Sequence, residues 1–219
     1  MKRAVPLLTL ILTTCGALTS SALFAIPAAP SKAMPAKAPI LKPVSDEQAT
    51  LGITAASLVY LKEFADRHFD KGEYNHCISL NQVVLQGEPH EMELYSDDAW
   101  LLWSTDRTPQ AIATLKQGLA ANKTTYFMYD ELGQFYWLHL HKPYIALAYY
   151  KEAVKFPAPM VTWHGLAHCY EQSGDLKGAV MAWKHCCTNK SDAVAPIELG
   201  RVEVKLAEQE RQVRNKNKA

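Results

Sequence analysis

The 219-residue sequence predicts an all-α protein, an α-solenoid of four helix–turn–helix repeats with a C-terminal capping helix. Three observations predict it. First, the stretch Met160 to Cys187 reads as two amphipathic helices. Trp163, Leu166, Ala167 and Tyr170 share one helical face; Ser173, Gly174 and Asp175 break the pattern; Leu176, Ala179, Val180, Trp183 and Cys186 form a second face. Second, the same unit recurs upstream at a spacing of 34 residues. Third, a largely polar helix without a partner follows the last unit, as a stack of repeats needs at its open end.

The register is explicit. The small residue of the first helix falls at Ala65, Ala99, Gly133 and Ala167, and the bulky residue four before it at Leu61, Tyr95, Tyr129 and Trp163. The residue three after it is His68, Leu102, Tyr136 or Tyr170. The small residue of the second helix is Cys77, Ala111, Ala146 and Ala179, with a slip of one in the third copy, where HLHKP predicts a longer turn. Small residues at both positions let the two helices of a unit approach closely. These residue types at this period resemble the tetratricopeptide repeat (TPR). The second copy departs from the family at Asp98, where a leucine belongs, and at Gly118, where an alanine belongs.

Taken in order, the chain opens with Lys2 and Arg3, an apolar run from Ala4 to Leu12 and small residues through Ala25. That is the layout of a signal peptide over residues 1–25, cleaved after Ala22 or Ala25, and it implies an exported, periplasmic or secreted, protein. LTTC ending at Cys15 also resembles a lipoprotein box, with Thr14 as a departure, and makes Cys15 the candidate lipid anchor. Residues 26–50, rich in Pro, Ala and Lys, read as a semi-rigid linker.

Ser45 with Gln48 fits a helix-start capping box, and the helix either runs on into the first repeat or breaks near Gly52 and restarts at Ser57. The four repeats span 51–191, at about 58–91, 92–125, 126–159 and 160–191. Thr108 reads as an N-cap ahead of Pro109. The capping helix covers 192–213, with Ile197, Arg201 and Val204 in the repeat register, and a basic tail covers 214–219.

Charge excludes one partner class. Residues 46–204 hold 13 basic and 20 acidic side chains, and such an acidic body argues against nucleic acid. Catalytic signatures are missing: there is no GxSxG, no P-loop and no glycine-rich nucleotide fingerprint, so the chain is read as a non-enzyme without a cofactor. Asp97–Asp98 and Asp130–Glu131 read as solvated helix faces. Cys77, Cys169, Cys186 and Cys187 read as packed thiols rather than a disulfide framework. His139 and His141 read as charge-bearing groups at a helix end. His164 and His168, four apart on one helical face, could jointly hold a metal, and they define an alternative reading as a metal-dependent hydrolase.

The resemblance implies that first helices line a concave groove and that a partner binds there. In register, this face presents Phe69, Trp100, Trp103, Phe127, Asp130, Trp137, His164 and His168. Aromatic residues at positions that packing does not require are candidate hot spots. Asp66, Asp70, Glu93 and Asp130 beside them favour a partner that is apolar with basic flanks. The sequence therefore predicts an exported protein- or peptide-binding scaffold, or, with Cys15 lipidated, an anchored envelope assembly component.

Overall fold

The computed structural model describes residues 45–217. The signal-peptide and lipidation readings, Cys15 included, and most of the linker lie outside the described residues, as does the end of the basic tail. Nine helices and no strands make up the described chain: α1 (Asp46–Asp70), α2 (Tyr74–Gly87), α3 (Met92–Ser104), α4 (Thr108–Ala121), α5 (Phe127–Gln134), α6 (Pro143–Ala153), α7 (Met160–Gln172), α8 (Leu176–Cys186) and α9 (Ala195–Lys216). They pair as four hairpins, α1–α2, α3–α4, α5–α6 and α7–α8, with α9 packed on α8 at the C-terminal end.

Helix α1 runs unbroken through Gly52, and it starts inside the range read as linker. The cause is local. The Ser45 hydroxyl accepts from the Gln48 amide at 3.2 Å, and Asp46 and Glu47 place negative charge on the positive end of the helix dipole. Thr108, expected as an N-cap, is already helical; the Arg107 carbonyl accepts from the amides of Gln110 and Ala111, both at 3.0 Å, so the helix begins one residue earlier. Asp175 caps α8 through the Gly178 amide at 2.8 Å.

Each hairpin turns on one left-handed residue: Gly72 (φ 74°), Asp106 (φ 61°), His141 (φ 53°) and Gly174 (φ 81°). In three copies the amide after that residue reaches a carbonyl five back: Glu73 to His68, Arg107 to Leu102 and Asp175 to Tyr170, at 2.8–3.0 Å. In the third copy Lys142 reaches six back, to Tyr136, at 2.8 Å. The additional residue does not lengthen the turn. It is absorbed upstream, where α5 continues as a π-helical turn over Phe135–His139, and Leu140 donates to Phe135 at 3.2 Å.

The core follows the repeat register. Ala65, Ala99, Ala167, Cys77, Ala111, Ala146 and Ala179 are all buried, as is Gly133. Gly118 stands where alanine belongs because a Cβ there would come 2.7 Å from both Met128 Cε and Tyr95 Cγ, and both of those side chains are buried. Cys77, Cys169 and Cys186 are buried free thiols, and burial raises their pKa values to about 11, about 12 and about 12.

Helix α9 departs from its expected register. Ala195 and Val202 face the core, while Ile197 and Val204 are 70% and 69% exposed. Arg201 cannot fill a small-residue position, and its guanidinium turns instead onto Glu171 and Glu198. The helix rotates so that Ala195 supplies the close contact.

Candidate binding groove

The first helices place the eight candidate residues in very different environments. Phe69 and Trp100 stand free, 44% and 46% exposed. Phe127, Trp103 and Trp137 are half-buried against the core. Trp103 lies 4.0 Å, centroid to centroid, from His139, and Trp137 stacks on His168 at 5.4 Å while its Nε1 donates to Gln172 Oε1 at 3.0 Å. A continuous ladder of free aromatics from Phe69 to Trp137 is therefore not formed. His139 is enclosed by Trp103 and Phe135, and burial lowers its pKa, so it is an aromatic packing partner rather than a charged cap.

Asp130 is also not where the sequence reading put it. It is buried, accepts from Gln134 Nε2 at 2.8 Å, and burial raises its pKa, so its carboxyl is not exposed to the groove. Asp98 is likewise no solvated acid: it is fully buried and accepts from Asn81 Nδ2 at 2.8 Å. Its repeat equivalents are Phe64, Leu132 and Leu166, and those of Asn81 are Leu115, Tyr150 and Trp183. Two facing core positions have thus become polar together.

The face of the fourth copy is occupied from within. His164 Nε2 bonds to an Asp192 carboxylate oxygen at 2.6 Å. Glu171 takes both guanidinium nitrogens of Arg201 at 2.6 Å and the ammonium of Lys205 at 2.6 Å. The Arg201 bonds above all hold the Glu171 carboxyl down at about 2. His168 packs between Trp137 and Trp183. His164 and His168 share no cluster of ligand atoms among the described residues; His168 instead groups with Glu171 and Glu198, already neutralised by Arg201. The chain just before α9 and α9 itself therefore cover the first-helix face of the fourth copy.

What stays open is a cavity of about 410 Å³ between α1 and α3, with Cys77 and Asn81 of α2 at its back. Phe69, Leu94 and Trp100 supply apolar wall; Asp66, Glu93 and Asp97 supply carboxylates. Its one cation among the described residues, Lys62, is spent on Glu88 at 2.6 Å and Glu91 at 3.1 Å. Among the described residues Asp66, Glu93 and Asp97 have no cationic partner within ion-pair distance. Burial, with the nearby charges of Glu93 and Asp66, raises the Asp97 pKa. Sequence reasoning missed Asp97, which was read as solvated, and the use of Lys62 by Glu88 and Glu91, which no spacing on a single helix reveals.

Stacked hairpins with a small-residue seam and a lined first-helix face define the class: a tetratricopeptide-repeat-like fold. No protein-family model matches the chain, and no curated protein matches it in sequence. Solved structures do. The chain is similar to the MamA protein, with a TM-score of 0.57 at 17% identity over 73% of this chain and 88% of that one. It is similar to a tetratricopeptide repeat protein from Parabacteroides merdae, with a TM-score of 0.57 at 16% identity over 71% of this chain and 64% of that one. It is also similar to PilW, a widely conserved type IV pilus biogenesis factor, with a TM-score of 0.52 at 16% identity over 68% and 69%. At these identities the likeness establishes the fold.

Proposed function

We propose that this chain is a protein-binding scaffold without catalysis of its own, acting outside the cytoplasm, whose α1–α3 groove takes a partner segment that is apolar with basic flanks. One observation carries the reading. Two exposed aromatic rings, Phe69 and Trp100, border three carboxylates that lack cationic partners among the described residues, in a cavity of a size to take one or two side chains. The rings remove apolar surface of the partner from water, and the carboxylates select its charge. Export rests on Lys2, Arg3 and the apolar run that follows, and attachment on Cys15. PilW, which shares the fold, is a type IV pilus biogenesis factor, and this accords with the reading as an envelope assembly component.

The test is a peptide selection on the purified protein, with apolar cores flanked by Lys/Arg or by Asp/Glu. Basic-flanked peptides should be enriched. Trp100→Ala should weaken them by about 2 kcal/mol, roughly thirtyfold, with the helical circular dichroism unchanged. Equal enrichment of acidic flanks, or unaltered binding by Trp100→Ala, overturns the groove assignment. Cell fractionation of the wild type and of Cys15→Ala tests export and anchoring separately.

A further inference from the structure

The end of α1 and the start of α2 bring together three metal-ligating side chains outside the groove. His68 lies in the last turn of α1, Glu73 is the N-cap of α2, and His76 lies in its first turn. The left-handed Gly72 folds the chain sharply enough to bring them to one point. One carboxylate oxygen of Glu73 contacts Nδ1 of His68 and lies 3.6 Å from Nδ1 of His76. The two imidazoles stand edge to face with centroids 5.0 Å apart. One ligand atom from each residue lies within 4.8 Å of the other two.

We propose that His68, Glu73 and His76 form a binding site for a divalent first-row transition metal ion of the zinc class. Two imidazole nitrogens and one carboxylate oxygen are a donor set that zinc accepts while keeping a position open. Donors bound at about 2.0–2.1 Å in a tetrahedron stand roughly 3.4 Å apart, so the cluster reaches ligating geometry by small side-chain rotations. The second cluster, of His168, Glu171 and Glu198, shows by contrast what a filled site looks like, because Arg201 and Lys205 already supply its positive charge. Around Glu73, among the described residues, the ion-pairing partners are the two histidines alone. No other repeat reproduces the set: the positions equivalent to His76 are Gln110, Ile145 and Gly178.

Access is open. The His76 side chain is 68% exposed, and Glu73 and His76 border a cleft of about 530 Å³ reaching Thr105 and Arg107 of the next turn. A water or a carboxylate of a bound protein completes the shell from that side. The ion clips α1 to α2 at the turn of the first hairpin.

The experiment is calorimetric titration of Zn²⁺ into the full chain after chelator treatment and dialysis. One equivalent should bind, and His76→Ala and Glu73→Gln should each weaken it at least tenfold. His76 is exposed, so its removal leaves the core intact, and circular dichroism checks this. His164→Ala should bind as the wild type does. Co²⁺ loading should give d–d bands without a thiolate charge-transfer band. Unaltered binding in His76→Ala and Glu73→Gln, no bound metal at all, or a thiolate band pointing to the cysteines overturns the assignment.

Discussion

Asp98 and Asn81 should make the stability of this protein depend on pH in a direction opposite to that of most carboxylates. Asp98 is fully buried; one carboxylate oxygen accepts from Asn81 and the other has no partner. Burial, helped by the charge of Asp97, lifts its pKa from an ordinary 3.8 to about 7. A folded pKa above the unfolded one means that the native state binds the proton more tightly. The protonated native form is favoured fully below about pH 4, and stability is lost as pH rises through about 7. At about 1.4 kcal/mol per pH unit, the interval is worth about 4 kcal/mol, and relaxation around the charge brings the expected loss to about 2–4 kcal/mol. That is a large share of the roughly 5–15 kcal/mol that holds a domain together. Asp98→Asn keeps the shape and removes the charge. Urea unfolding of both proteins between pH 4.5 and 8 should give similar stability at the acid end, with the variant ahead by about 2–4 kcal/mol above pH 7. The double change Asn81→Leu with Asp98→Leu, which copies the apolar pairing of the later repeats, should remove the same pH dependence. Parallel curves for wild type and Asp98→Asn would refute the buried-charge argument.

Two further outcomes test the packing and the closure of the groove. Gly165→Ala places a Cβ 2.5 Å from Tyr150 Cζ and 2.6 Å from its hydroxyl, and Tyr150 is fully buried, so the variant should lose about 1–3 kcal/mol in thermal or urea unfolding; an unchanged midpoint would mean that Tyr150 has room to move. Glu171→Gln weakens the clamp from α7 to Arg201 and Lys205, at a cost of about 1–2 kcal/mol because Arg201 is partly exposed, and amide exchange in α9 should speed up while α1–α4 stay as they were. With its folded pKa near 2, Glu171 contributes fully above about pH 4.5, and the contribution fades as pH falls toward 2.

The fold was legible because the repeat prints the same contact four times. A small residue at Ala65, Ala99, Gly133 or Ala167 against one at Cys77, Ala111, Ala146 or Ala179 fixes each hairpin, and a slip in one copy cannot hide the other three. The π-helical turn was not legible: the count of residues shows one too many, and only the backbone bonds show where it goes. The groove was half legible. Register gives which side chains share a face, and of those Phe69 and Trp100 are exposed. It does not give which of those side chains another helix will claim. Asp130, Trp137 and His164 were lost to Gln134, Gln172 and Asp192, the last two from beyond their own helix. The Asn81–Asp98 pair had a readable signal, since both positions are large and apolar in every later copy, but it shows only when the two columns are read together. His68, Glu73 and His76 straddle a turn, where helical spacing has no meaning.

The closure of the fourth copy has one physical cause. An α-solenoid adds surface with every repeat, and it needs a last helix to cover the final apolar face. Here that helix is strongly charged, and its charges need partners. Arg201 and Lys205 find Glu171, and Asp192 ahead of the helix finds His164. Both partners belong to the first-helix face of the fourth copy, so covering the core and filling the groove are one event at the C-terminal end. At the other end the polarity is reversed. Among the described residues, Lys62, the one cation lining the α1–α3 cavity, is drawn off by Glu88 and Glu91, at the link between the first two hairpins, which leaves Asp66, Glu93 and Asp97 around two bare rings. Burial, with the charges of Glu93 and Asp66 beside it, raises the Asp97 pKa, and a cationic group placed there relieves that cost. The proposed groove therefore has a direction, closed by the chain's own arginine at one end and, on the proposed reading, open to a partner's cation at the other.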